Sequence, residues 1–285
     1  MSKEKRMLKE YAIVVSLMIF FTIVILVGTI RIYLVTKDRL DRVDLETIDV
    51  LETNTNIDFS NYNIRIINSI RDTYGIDIYY GMMAELESVN AIPLTDETVV
   101  FDILKEVNSV LSKYPKDLIK EIEAKGYEIS IYLVDYFTNN VQALANRNSI
   151  GQMKIYMSNT DNLQRALHHE YYHILDYYIR LEANENLLYI NWDKYNPKGF
   201  KYTESIDEIT AKYVYKGQTG AYFVTPYAKY SEKEDRAETF AEMMTASKDE
   251  LFFVEGEPIR GKVDSIKNAL SDTFRTIRRE EYFVW

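Results

Sequence analysis

Residues 152–181 read QMKIYMSNTDNLQRALHHEYYHILDYYIRL, which parses as a strand, a turn and a helix in succession. Gln152 to Ser158 has the short apolar and aromatic run of a strand. Asn159, Thr160 and Asp161 are residue types that cap helices, and the pattern from Asn162 to about Leu181 contains no Gly or Pro. In the middle of that predicted helix stands His169-Glu170-Tyr171-Tyr172-His173, the H-E-x-x-H pattern. At 3.6 residues per turn, positions four apart share one face, so both imidazoles can address one metal ion about 2.0 to 2.1 Å from each nitrogen. Glu170, the next residue along, is placed to act as a general base on water.

The whole chain holds three histidines, His168, His169 and His173, all within six consecutive positions. Histidines scattered through a core for packing do not gather in this way. Cysteine is absent, so disulfides, thiolate ligands and thiolate nucleophiles are excluded, and a bound metal must use nitrogen and oxygen. A catalytic zinc site takes three protein ligands and leaves a position for water. His168 faces another side of the helix, so the third ligand has to be a carboxylate, and the H-E-x-x-H-x-x-G-x-x-H pattern is excluded.

The best carboxylates lie on a second helix that starts at Ser231, where Ser231-Glu232-Lys233-Glu234 matches a capping box, and runs to about Ser247. Glu234, Ala237, Glu238 and Ala241 recur at three- and four-residue spacing and share one face with small apolar neighbours. Two readings of this face are open. Glu234 completes the capping box and Glu238 sits in solvent, or the face packs inward, Glu234 binds zinc and Glu238 orients an imidazole.

His169-Glu170-Tyr171-Tyr172-His173-Ile174-Leu175-Asp176, followed by Tyr227 and seven residues later by Glu234-Asp235-Arg236-Ala237-Glu238, resembles the catalytic domain of anthrax lethal factor and the Pro-Pro endopeptidases. In that family H-E-x-G-H-x-x-D is followed by a Tyr and then by the ligand Glu of an E-x-x-A-E segment. Carried over residue by residue, the resemblance implies a Zn²⁺ ion on His169, His173 and Glu234. It makes Glu170 the base and Tyr227 the group that supports the oxyanion, with Glu238 and Asp176 as carboxylates that orient the ligand rings. It also implies a zincin-like α+β domain, with a small mixed sheet packed on the active-site helix and a mainly helical part after it. Tyr172 departs from the family where Gly is usual, and Arg236 where an aromatic is common. Judged by residue type alone, Tyr227 is one of 24 tyrosines and reads as packing. Asp176, three residues after His173, can accept that ring's second N–H.

Tyr11 to Ile30 carries no charge over twenty residues, which at about 1.5 Å each crosses a hydrocarbon core of roughly 30 Å. A secretory signal peptide competes for the same segment, but its apolar part is usually only about 7 to 15 residues and an A-x-A-like site should follow. The expected organisation is a flank over 1–10, a membrane helix over 11–30, a juxtamembrane stalk over 31–56 and a catalytic domain over 57–285. Lys3, Lys5, Arg6 and Lys9 on one flank nearly balance Arg31, Lys37, Arg39 and Arg42 on the other; the expected orientation is N-terminus inside, catalytic domain extracellular. A formal charge of −10 speaks against a nucleic-acid partner. The expected partners are a protein or peptide substrate and the lipid bilayer, with the domain monomeric. Ile76 to Gly81 and Tyr127 to Phe137 read as further strands, Thr95 to Lys113 and Lys262 to Arg279 as helices. The Gln152 to Ser158 strand is a candidate edge for an extended substrate. Two rival functions use the same residues: a zincin scaffold that binds or senses at the membrane without cleaving, and a secreted peptidase or toxin freed by signal removal.

Overall fold

Runs of apolar and aromatic residues set out the first half of the domain: helix α1 (Phe59–Tyr74), strands β1 (Asp77–Tyr79) and β2 (Ala91–Pro93), helices α2 (Glu97–Leu111) and α3 (Leu118–Glu123), then β3 (Glu128–Phe137), β4 (Ala143–Arg147) and β5 (Gln152–Ser158). The second half is helical, with α4 (Leu163–Glu182), α5 (Glu232–Thr245), α6 (Arg260–Thr273) and α7 (Arg275–Arg279), joined partly by 3₁₀ turns at Trp192–Tyr195, Ile206–Glu208 and Tyr227–Lys229. The structure is a computed structural model that describes residues 59–81, 84–139, 142–147, 151–182, 192–215, 219–247 and 254–279. The predicted membrane helix over 11–30 and stalk over 31–56 lie outside the described residues. Among the described residues no helix is long and apolar enough to cross a membrane.

The sheet is mixed. β1, β3 and β5 run parallel in that order, β4 joins antiparallel on the outside of β5, and β2 pairs antiparallel with the far end of β3. Alternation along the strands divides the side chains between two faces. Ile129, Ile131 and Leu133 of β3 with Met153, Ile155 and Met157 of β5 turn toward the main core. Tyr132, Val134 and Tyr156 turn the other way onto Leu86, Val89, Ala91 and Phe137, with the Tyr132 and Tyr156 rings stacked 4.9 Å apart. β5 is therefore paired on both sides, and the expectation that it offers a free edge is corrected. β4 is the outer strand; its Ala-Leu-Ala-Asn-Arg sequence carries little strand propensity, so its pairing with β5 comes from tertiary context.

The backbone returns from β5 into α4 through a Leu163 N–H to Thr160 C=O bond of 3.1 Å, while the Thr160 hydroxyl is buried with no partner among the described residues and caps none of the helix N–H groups there. Every residue of α4 from Leu167 to Asp176 is buried, because the helix is sandwiched between the sheet and α5. At the C-terminal end one predicted helix becomes two. Phe274 adopts extended backbone between α6 and α7 and stacks its buried ring on Tyr178, centroids 5.1 Å apart, so core packing rather than Gly or Pro breaks the helix.

Candidate metal centre

Two helices meet at the centre. His169 and His173 stand one turn apart on α4, and Glu234 enters from the first turn of α5. His169 Nε2 lies 3.1 Å from His173 Nε2 and 3.0 Å from Glu234 Oε2, and His173 Nε2 lies 3.3 Å from Glu234 Oε2. Ligands about 2.05 Å from a tetrahedral ion stand about 3.3 Å from one another, so three donor atoms at these separations match three corners of a zinc tetrahedron. Glu234 resolves the ambiguity of the capping box. Ser231 Oγ accepts from the Glu234 N–H at 3.2 Å, as the local rule requires, but the Glu234 carboxylate turns to the histidines.

Charge in this neighbourhood is lopsided. Glu170, Glu234 and Glu238 gather around the rings, and Glu238 Oε1 comes within 2.7 Å of His169 Nδ1. Burial, the largest influence, disfavours a charged His169. Contacts with Glu234 and Glu238 and the charge of Glu170 outweigh it and push the ring's pKa up to about 10. Burial likewise opposes the charges of Glu234 and Glu238, but the two rings hold Glu234 well below the usual carboxylate range, and His169 with Arg165 brings Glu238 down to about 2. The cluster thus demands positive charge. A divalent cation meets that demand and leaves both imidazoles neutral, as ligands must be, so the residues present fit zinc.

Glu238 is held by three hydrogen bonds. Arg165, one turn before His169 on α4, donates to it through Nη1 at 3.2 Å and Nη2 at 2.8 Å, and Thr225 Oγ1 donates to Oε2 at 2.6 Å. Arg165 also reaches Glu242 at 3.4 Å. Arg165 and Thr225 went unidentified in the sequence; i, i+4 spacing from His169 singles out Arg165, whereas nothing local singles out Thr225. The Thr225 hydroxyl accepts in turn from the Ala228 N–H at 3.2 Å, inside the 3₁₀ turn that carries Tyr227.

Tyr227 stands beside the centre, its ring centroid 6.2 Å from that of His169 and 5.7 Å from that of Tyr230, and it is 40% exposed. Partial burial, followed by the charges of Glu234, Glu170 and Glu238, raises its pKa, so the hydroxyl stays protonated and able to donate. Glu170 is buried on α4 beside His169. Asp176 requires correction as a partner of His173: it accepts from Arg236 Nε at 3.0 Å and Nη2 at 3.2 Å, and His173 Nδ1 is buried with no partner among the described residues. Arg236 also pairs with Glu232, and it lies over the Trp192 ring at 5.8 Å. The unusual Tyr172 is fully buried and stacks on Phe240 of α5 at 4.6 Å, filling with an aromatic contact the interface where the resembling family has Gly. His168 faces away, its Nδ1 2.6 Å from the Tyr114 hydroxyl, and burial with the charge of Lys113 lowers its pKa to about 3.

Residues 112–257, just over half of the chain, match the family model described as "Putative zinc-binding metallo-peptidase". No curated protein matches this chain. A crystal structure of "a putative zinc-binding metallo-peptidase from Bacteroides caccae ATCC 43185" aligns with 79% of this chain and 92% of its own, at 16% identity and a TM-score of 0.46. The family match spans His169, Glu170, His173, Tyr227 and Glu234, and on it this chain belongs to that family of zinc-binding metallo-peptidases.

Proposed function

We propose that this chain is a zinc-dependent endopeptidase of the lethal factor and Pro-Pro endopeptidase type, anchored in the cell membrane by residues 11–30 with residues 57–285 as its extracellular catalytic domain. The observation that carries the peptidase reading is the triangle of His169, His173 and Glu234 donor atoms, 3.0 to 3.3 Å on a side. His169, His173 and Glu234 hold zinc, which when bound lowers the pKa of water toward about 7 and polarises a carbonyl.

Glu170 takes the proton of the attacking water and hands it to the leaving amine, so one carboxylate serves first as base and then as acid. Tyr227, kept protonated by its acidic surroundings, donates to the charge that develops on the carbonyl oxygen. Glu238 steadies His169 from behind, and Arg165 keeps Glu238 ionised and in place. The outer edge of β4 offers backbone groups to an extended peptide.

Glu170→Gln is expected to retain zinc by elemental analysis while losing roughly 10²- to 10⁴-fold in peptide cleavage by the purified full chain. Cleavage at the wild-type rate by that variant rejects the mechanism. The anchor has a separate test: because the chain lacks cysteine, single cysteines introduced on either side of residues 11–30 report orientation by labelling of intact cells. Full recovery of the chain in the soluble fraction rejects the anchor and leaves the peptidase reading untouched.

A further inference from the structure

We propose that a cavity beside His173 is a subsite that selects an acidic substrate side chain through Lys233, so that cleavage is favoured next to glutamate; the inference rests on the peptidase reading above. The cavity measures about 260 Å³ and is walled by Asn146 of β4, Met153 of β5, His173, Ile174 and Tyr177 of α4, and Lys233 of α5. It is smaller than the roughly 300 to 1,000 Å³ of a small-molecule site and suits one side chain of a longer ligand. It also touches both the metal centre and the outer strand. A peptide paired along β4 sends alternate side chains to one face, so a residue close to the bond held at His173 drops into this space.

The chemistry of the walls is an apolar floor with one cation. Met153, Ile174 and Tyr177 supply the floor. Glu232 to Asp235 are four consecutive charged residues, and the three acids each have a partner: Glu232 with Arg236, Glu234 with the two histidines, Asp235 with Lys262. Lys233 has no carboxylate partner among the described residues, in a chain whose formal charge is −10. An ammonium left without an acid at the wall of a cavity that borders the metal ligands is matched by a substrate glutamate, whose methylenes cover the floor while its carboxylate meets Lys233. Lysine or arginine in the same place would put two like charges together.

The test uses the full chain loaded with zinc and a set of peptides that differ at one position beside the cleaved bond, carrying Glu, Gln or Lys there. Wild type is expected to favour Glu over Gln about fivefold in kcat/KM, the worth of one partly exposed ion pair, and to favour Lys least. Ratios within each protein cancel any general loss of activity, so variants are compared by selectivity. Lys233→Met should bring the Glu to Gln ratio near one, and Lys233→Glu should move the preference to Lys. A wild type with no acidic preference, or a ratio that both variants leave unchanged, overturns the subsite while cleavage itself persists. Failure to cleave any peptide of the set overturns the peptidase reading and the subsite with it.

Discussion

Glu234 and Asp235 are neighbours on the first turn of α5, yet they enter charge clusters of opposite character. Asp235 is fully buried and its charge is answered through one oxygen: Lys262 Nζ lies 2.6 Å from Oδ2, and Trp192 Nε1 and the Tyr202 hydroxyl donate to the same oxygen at 2.9 and 2.7 Å, while Oδ1 is buried with no partner among the described residues. Lys262 is itself fully buried and lies over the Phe223 ring at 3.9 Å. That network ties α5 to α6 and to the turn at Trp192, and its charges balance inside the protein. Around Glu234 the acids outnumber the fixed cations, and a histidine has to take up a proton to compensate. A balanced cluster holds a fold together, whereas an unbalanced one of this geometry has the charge and the donor spacing that suit an ion.

Breaking the open cluster should abolish function while sparing the fold. His173→Ala leaves His169 and Glu234, a pair too open for tight zinc binding, so the variant is expected to lose both metal and cleavage. Its metal-free thermal unfolding should stay near that of the wild-type protein stripped of zinc. Zinc at about 100 times its dissociation constant should stabilise the wild type by about 2.7 kcal/mol and leave the variant unmoved. Bound zinc after this substitution counts against the ligand set.

Breaking the closed cluster should do the reverse. Lys262→Met strands the Asp235 carboxyl in the core, and removal of one partner from a buried pair costs about 3 to 5 kcal/mol. The loss should appear in denaturant unfolding both with zinc and with chelator. Converting the partner as well, Lys262→Met with Asp235→Asn, should recover part of it. Equal stability of the single variant and the wild type would show that the pair contributes nothing.

Acidity probes the open cluster from within. Without zinc, folded His169 keeps its proton up to about pH 10, whereas the unfolded ring releases it near 6.5. Over that window the folded state binds more protons, so stability is fully present below about 6.5 and falls as pH rises toward 10. Glu238 works in the opposite sense, its contribution present above about 4.5 and lost as pH falls toward about 2. Zinc requires a neutral ring, so the alkaline decline should appear in melting curves taken with chelator and disappear when zinc is saturating. Parallel curves across pH 6.5 to 10 under both conditions would remove His169 from the metal.

What could be read from the sequence is what local rules control. Gln152–Ser158 as a strand, the long helix after it and the Ser231 cap of α5 follow from run length, absence of Gly and Pro, and cap chemistry, and all three stand in the structure. Spacing alone left Glu234 between cap and ligand, because the direction of its carboxylate is decided by α4, 65 residues away. The same distance problem hid Arg165, whose acid partners lie 73 and 77 residues on, and misdirected Asp176, whose partner Arg236 is 60 residues on. β4 and the three-residue β2 escaped because weak β formers become strands only when a neighbour supplies the hydrogen bonds. The break at Phe274 escaped because a buried aromatic ring, not a helix breaker, causes it.

Thr225 sharpens the contrast at its finest scale, since it belongs to neither charge cluster and links one of them to Tyr227. Its hydroxyl donates to Glu238 Oε2 and accepts from the Ala228 N–H, so a single oxygen joins the carboxylate beside His169 to the turn that presents Tyr227. Thr225→Val preserves the shape and removes both bonds, which leaves a part-buried N–H and a carboxylate oxygen each short of a partner at a cost of about 1 to 3 kcal/mol. Zinc should stay bound, because the three proposed donors are untouched. The loss should fall on the placement of Tyr227, the group proposed to act on the developing oxyanion, so kcat should drop about fivefold to tenfold with KM little changed, and Thr225→Ser should restore it. A change in KM alone, or no rescue by serine, would mean that the turn is held by its packing on Tyr230 and that the hydroxyl is incidental.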